Sequence, residues 1–312
     1  MGLRTYILRR LVDSMVTYVI IFFMVFFAFF YLPLSKDYPQ ISPLQIFLTY
    51  LQFIFVEKFG KSRWGIPTIE AVKIGVFRTI IILLPAIVIS IIIGYIMGAR
   101  GAWKCESVED DVYTGFWLFM YGLPVFWIGM LLLLIFSIGL GWFPTYGLHE
   151  IPLKYTPSEN PVAYVLDITK HIFLPVLSLT LTTTGIFYII MRNSMIGILN
   201  EDFIRTAKAK GLNEKDIIHK HAARAAILPS LSMFGLSLVL FSTNIILTEV
   251  LFSIQGLGFL LYRSATGFIF GPDLGLLLAS FLLFSLVVIA TIHVLDVAYA
   301  FLDPRIRVEG GS

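Results

Sequence analysis

Apolar residues come in six long runs, each near or above the twenty or so needed to cross a bilayer as a helix. They predict spans over about Leu11–Leu32, Ile74–Gly98, Tyr113–Leu140, His171–Met191, Ile227–Val250 and Leu274–Leu302. Pro33 ends the first, and Gly122, Pro124 and Gly129 predict irregularity in the third. Pro85, Pro124 and Pro175 predict bends. Between the first two spans, Leu44, Phe47, Leu48, Leu51 and Phe55 recur at helical spacing. They predict an amphipathic helix on the outer surface. The stretch Gly141–Lys170 is rich in Pro, Tyr and Trp and reads as a folded cap.

Composition agrees with this pattern. Of 312 residues, 58% are hydrophobic and 14% charged, far from the usage of a soluble domain. The basic residues orient the spans. Arg4, Arg9, Arg10, Arg100, Lys104, Arg192, six cations between 200 and 229, Arg305 and Arg307 fall on one side, which is therefore the inside. An even number of spans puts both termini in the cytoplasm. The basic start and long apolar run, with no small-residue cleavage site, predict a retained first helix. Three parts follow: 1–73 (first helix and outer loop), 74–304 (transmembrane domain) and 305–312 (cytoplasmic tail). Cys105 is the sole cysteine, and no basic, aromatic-interleaved stripe points to nucleic acid.

The most charged run, Asn200–Pro229, lies between the fourth and fifth spans. Asn200 is placed to cap a helix whose first turn holds Glu201 and Asp202. Glu201 and Arg205 are spaced to pair, as are Asp216 and Lys220. Phe203, Ile204 and Ala207 form one apolar strip; Ile217, Ile218, Ala222 and Ala225 form another. Gly211 predicts a left-handed helix end, Asn213 a second cap, and Pro229 the first turn of the next helix. The stretch reads as two short amphipathic helices broken at Gly211.

No nucleotide-binding G-x-x-x-x-G-K-[ST] occurs, nor H-E-x-x-H or G-x-S-x-G. His219 and His221 lie on different faces of a helix and suit no single metal. Thr243 and Asn244, within the fifth span, either line a passage or join helices. Glu249 is either a gate or outer-rim contact or a hydrated surface carboxylate. His293 and Asp296 suit ion pairing with a loop cation better than proton relay, and Asp303 before Pro304 ends the last helix.

The segment E-D-F-I-R-T-A-K-A-K-G-L, followed by H-A-A-R-A-A-I-L-P, resembles the "EAA" loop of ABC importer permeases of the dipeptide/oligopeptide B type. L-P-V-F-W-I-G at Leu123–Gly129, G-W-F-P at Gly141–Pro144 and L-P-V-L-S-L at Leu174–Leu179 resemble further segments of that family. So do T-E-V-L-F-S-I-Q-G-L-G, with Gln255 where proline is common, and the closing D-V-A-Y-A-F-L-D-P-R-I-R. The first outer loop departs, reading L-P-L-S-K-D-Y-P where the family has Pro-Gly-Asp-Pro.

The resemblance implies an all-α integral membrane fold of six transmembrane helices, the type I ABC importer permease fold, with a cytoplasmic coupling helix. It implies half of a translocation pathway at the cell membrane, worked by alternating access. The partners implied are a homologous second permease, two ABC ATPase subunits, an extracellular substrate-binding protein and membrane lipid. ATP and Mg would be used by the ATPases, with no cofactor and no enzyme activity on this chain. Glu201, Phe203, Arg205, Ala207, Gly211 and Leu212 would meet the ATPase subunit, and Thr243, Asn244 and Glu249 would belong to the pathway. Peptides are the implied substrate, ahead of oligosaccharides or nickel. The alternative is a proton-coupled secondary transporter, which needs titratable groups at mid-membrane.

Overall fold

The computed structural model describes residues 3–32, 36, 40–63, 65–149, 159–226, 243–267 and 272–302, with backbone alone at 3, 4, 295, 296 and 298–302. The elements are α1 (Leu3–Phe26, continued by a π-helical Phe27–Tyr31), α2 (Pro43–Phe55), α3 (Thr68–Trp103), α4 (Val108–Gly122) and α5 (Val125–Leu132, continued by a π-helical Leu133–Gly139). After these come α6 (Pro161–Leu199), α7 (Asp202–Ala209), α8 (Glu214–Asp216, continued by a π-helical Ile217–Ala222), α9 (243–251), α10 (Leu257–Thr266) and α11 (Leu274–Leu302).

Helix starts follow capping chemistry. Ser42 and Gln45 form a reciprocal capping box at α2, with Pro43 in its first turn. Ser107 caps α4 ahead of Glu109, Asp110 and Asp111. Asn160 caps α6, with Pro161 next.

Among the described residues four helices are long and apolar enough to cross a membrane, and a bent pair makes a fifth. That pair corrects the expected third span. Leu123 is extended (ψ 138°) because the following Pro124 disfavours the helical conformation there, and α4 and α5 diverge by 99°. The fourth span is also longer than expected. Residues 161–170, read as loop, are helix, because Asn160 and Pro161 start it a full ten residues earlier. At 39 residues α6 is about 58 Å long, against a hydrocarbon core of about 30 Å. Most of the expected fifth span, with Pro229, lies at 227–242, outside the described residues, as do Asp303 and the side chain of Asp296.

The chain divides into two compact units. The first comprises 1–81, 253–297 and 306–312. Its core joins Val25, Phe30, Ile46, Tyr50, Leu257, Leu276 and Leu282, among others. Tyr50 packs against Phe22, Phe26 and Phe30 of the α1 segment at ring-centroid distances of 5.1–5.2 Å. The strip that predicted α2 is, Phe47 apart, not its buried face: Ile46 and Tyr50 are buried, while Leu44, Leu48 and Phe55 are exposed. The helix is apolar on nearly every side, so the aromatic wall of α1, not the period, selects the inward face. His293 meets Ser14 through Nδ1 at 3.3 Å, and among the described residues no loop cation pairs with it. In the same unit Arg78 donates to the Gln255 side chain (3.1 Å), and the Leu257 amide donates to the Thr79 hydroxyl (2.8 Å).

The second unit comprises 82–252 and 298–305. Here α3 and α6 approach closely through glycine. A Cβ on Gly94 would lie 2.5 Å from Phe187 Cβ, and one on Gly98 would lie 2.8 Å from the Tyr188 carbonyl oxygen. Ser90 and Thr183 hydroxyls meet across the same seam at 2.9 Å. Small residues with a shared hydrogen bond are what let helices associate where lipid removes any hydrophobic drive. Gly94→Ala is expected to destabilise the protein by about 1–3 kcal/mol, the usual cost of overpacking. Thermal unfolding in detergent measures it, and an unchanged melting temperature would contradict the seam.

Candidate functional site: the loop after α6

α6 runs past its membrane segment to Leu199, and the charged loop hangs from its end. Asn200 does not cap the following helix. It closes α6, its side-chain amide donating to the Ile196 carbonyl at 3.1 Å. Glu201 takes the N-cap position of α7 without a side-chain cap bond. Asn200 was the natural sequence choice, but the preceding helix continues one residue into it, and the start of α7 moves with it. Arg205 accordingly pairs with Asp202 (3.5 Å) and not with Glu201 at the expected four-residue spacing. Both members are exposed, so the pair contributes little.

The C-terminal end of α7 is a Schellman motif. The Leu212 amide donates to the Ala207 carbonyl (3.3 Å) and the Gly211 amide to that of Lys208 (3.0 Å). Gly211 sits at φ +70°, and a Cβ there would meet nothing within 4 Å. The demand for glycine is thus conformational, not steric. Asn213 then caps the second helix, its Oδ1 accepting from the Lys215 amide at 2.8 Å. Lys220 reaches Asp216 at 2.8 Å.

Burial divides the loop into two faces. Ile204 (0% exposed) and Ala207 (5%) enter a cluster with Ala99 and Ala102 of α3 and Met191 and Met195 of α6. Ile217, Ile218, Ala222, Ala223 and Ala226 complete it. Phe203, expected on this strip, is instead 46% exposed, and Leu212 is 39% exposed. Ala207 therefore supports the loop from within the chain and offers no outward surface. The second strip also shifts: Ala223 and Ala226 are buried, while Ala225 is only half-buried. The π-helical turn at Ile217–Ala222 adds a residue to the turn, so the face that continues from Ile217 and Ile218 falls five residues on.

The outward face carries Glu201, Phe203, Arg205, Gly211 and Leu212, with Lys208 and Lys210 beside them. The Lys208 ammonium lies 5.0 Å from the centre of the Trp103 ring at the end of α3, which ties the outer edge of α7 to the membrane helices. Such a surface, apolar knobs set among charges on a short braced helix, is suited to insertion into a groove of a partner. His219 and His221 are exposed on the same loop.

One group of residues escaped the sequence reading. Asp110, 1% exposed, accepts from Arg192 Nε (2.7 Å) and Nη2 (2.5 Å) and from the Tyr188 hydroxyl (3.3 Å). Thr114 bonds both Asp110 (3.3 Å) and Tyr188 (2.8 Å). Beside it Arg100 Nε meets Glu109 at 2.6 Å. The available signal was weak: acidic residues at one helix start and a lone arginine near another helix's end, 82 positions apart.

The residues expected on a pathway lie on α9. Thr243 is exposed, Asn244 is half-buried, and the Asn244 carbonyl accepts from the Thr248 hydroxyl at 2.9 Å. Glu249 is fully buried, which corrects the reading of it as a hydrated surface carboxylate.

Comparison with known proteins bears on what such a chain does. The family described as "Binding-protein-dependent transport system inner membrane component" matches residues 90–308. The oligopeptide transport system permease protein AppB of Bacillus subtilis is 30% identical over 251 residues, covering 80% of this chain and 76% of that protein. The di/tripeptide transport system permease protein DppB of Pseudomonas aeruginosa is 32% identical over 224 residues, covering 69% and 66%. The oligopeptide transport system permease protein OppB of Haemophilus influenzae is 29% identical over 326 residues, covering 97% and 99%. With these matches and its apolar helices, the chain is a multi-pass membrane protein that belongs to the binding-protein-dependent transport system inner membrane component family.

Proposed function

We propose that this chain is the permease subunit of an ATP-driven peptide importer. The relatives compared are named for oligopeptide or di/tripeptide transport, which favours peptides over oligosaccharides or nickel. Residues 74–304 act as the importer's transmembrane domain and 1–73 as its extension. A second, homologous permease completes the pathway, and an extracellular binding protein delivers the substrate. Two partner ATPases bind and hydrolyse ATP with Mg. The termini and the loop after α6 face the cytoplasm, in keeping with the basic residues gathered there. The proton-coupled alternative finds no support.

The observation that carries the reading is the two-faced loop. Its inner face is sealed into the ends of α3 and α6, and its outer face presents Phe203, Leu212 and charges. A segment that transmits force between subunits needs both: a rigid root and a free contact surface. Glu201, Phe203, Arg205 and Leu212 make the contact; Ala207 and Gly211 set its shape. Thr243, Asn244 and Glu249 serve the pathway side of the second unit.

Three outcomes test this. Gly211→Val forces a β-branched residue into the left-handed region, at roughly 1–2 kcal/mol of strain, without a clash. It should leave membrane insertion intact while lowering ATPase association or transport per ATP in reconstituted vesicles; wild-type association with wild-type coupling overturns the loop's role. Phe203→Ala and Ile204→Ala should separate the two faces. Ile204→Ala empties a buried site, with a loss of about 2–5 kcal/mol, and should speed limited tryptic cleavage at Arg205 and Lys208. Phe203→Ala should leave cleavage unchanged and weaken ATPase pull-down; the reverse pattern contradicts the assignment of faces. Finally, an impermeant thiol reagent should fail to label a cysteine at Lys210 from outside intact cells, in a Cys105→Ser background. Labelling from outside would invert the topology.

A further inference from the structure

The Asp110–Arg192 pair holds a buried carboxylate in the second unit, and nothing in the loop's contact surface accounts for it. Asp110 lies in the first turn of α4, directly after the turn that links α3 to α4. Arg192 lies on α6 between Met191 and Met195, the two methionines that hold Ile204 and Ala207. Seven residues, about 10 Å of helix, separate Arg192 from the end of α6. The neighbourhood is shaped around the pair: a Cβ at Gly101 would fall 2.6 Å from the Tyr188 hydroxyl and 3.1 Å from Asp110 Oδ1. The Glu106 amide also donates to Asp110 (3.4 Å). A two-point guanidinium–carboxylate contact fixes orientation as well as distance.

A buried ion pair is a poor source of stability, because desolvation offsets its attraction; its better-attested use is to set register. We propose that Asp110 and Arg192 are positioning residues that fix the angle at which α6 presents the α7 loop. Force received by the loop then moves α3, α4 and α6 as one body. This rests on the reading of the loop as the contact for partner ATPases, but the pair's effect on loop pose can be measured without them.

Arg192→Ala would leave a buried carboxylate unpaired and is a poor probe. Asp110→Asn with Arg192→Gln removes both charges and keeps hydrogen-bonding groups. Arg192→Lys keeps the charge and loses the fork. In a Cys105→Ser background, spin labels at Val108 and Arg205 report the pose of α7 relative to α4 in the full chain in nanodiscs. Both variants should broaden the narrow distance distribution of the unsubstituted chain, Arg192→Lys less so. In vesicles with second permease, ATPases and binding protein, unlabelled versions should move about threefold or more fewer labelled tripeptides per ATP. ATPase association should persist. An unchanged distance distribution overturns the proposal, including where melting temperature falls, since that is a packing role alone. If the unsubstituted chain binds no ATPase, the loop's reading fails, while the distance measurement still decides the pair.

Discussion

Backbone-to-backbone approach of α3 and α6 is the contact on which the loop-bearing end of the second unit depends. Gly94, Gly98 and Gly101 face Phe187, Tyr188 and the residues after them with no room for a Cβ. In lipid, helices gain nothing by hiding apolar side chains from each other; they associate by packing and by shared polar groups. The Ser90–Thr183 bond supplies one such group, and Thr182, Thr183 and Thr184 satisfy their hydroxyls on their own helix. Both helices outlast the hydrocarbon core, so the seam continues to its edge and delivers Ala99 and Ala102 beside Met191 and Met195. The small alanines leave the shallow bed in which Ile204 and Ala207 lie.

This bed explains how so short a helix as α7 holds its shape. Eight residues are too few for an isolated helix to persist in water. The exposed Arg205–Asp202 pair adds little. Burial of Ile204 and Ala207, the Schellman closure at Gly211 and the Lys208–Trp103 contact supply what the helix lacks. Because burial acts on the inner side and the other contacts act at the end of the helix, Phe203 on the outer side remains exposed. The buried Ile204 and Ala207 that root α7 and the Phe203 it exposes are thus different residues of one helix.

What was legible in the sequence is what local chemistry decides. The long apolar helices, the left-handed Gly211, the Asn213 cap and the Asp216–Lys220 pair all follow from neighbours a few residues away. What was not legible depends on distant or competing partners. Asn200 could cap either helix it touches, and only the run-on of α6 decides. Phe203 and Ile204 are equally apolar, and only the bed under α7 selects Ile204. The π turn after Asp216 leaves no mark on apolar periodicity until the burial of Ala223 reveals the shift. Asp110 and Arg192 each read as an ordinary helix-end charge, because sequence carries no record of which cation meets which carboxylate. Glu249 stayed open between a gate or rim contact and a surface carboxylate, and only its burial removes the second.

These contacts also limit how the second unit can move. A glycine seam has one register: sliding α3 past α6 by a residue would set side chains against the Tyr188 carbonyl. Packed helices of this kind change by discrete steps or as rigid bodies, not by gradual shear. The break at Leu123–Pro124 is different, since Pro124 has no amide to donate and Leu123 is already extended. Yet even there α5 is held, because a Cβ on Gly129 would lie 2.5 Å from Leu251 Cδ2 at the end of α9. On the proposed reading, opening the pathway therefore cannot come from loosening α3 from α6. It has to come from this block moving whole against the second permease, with the loop after α6 as its handle.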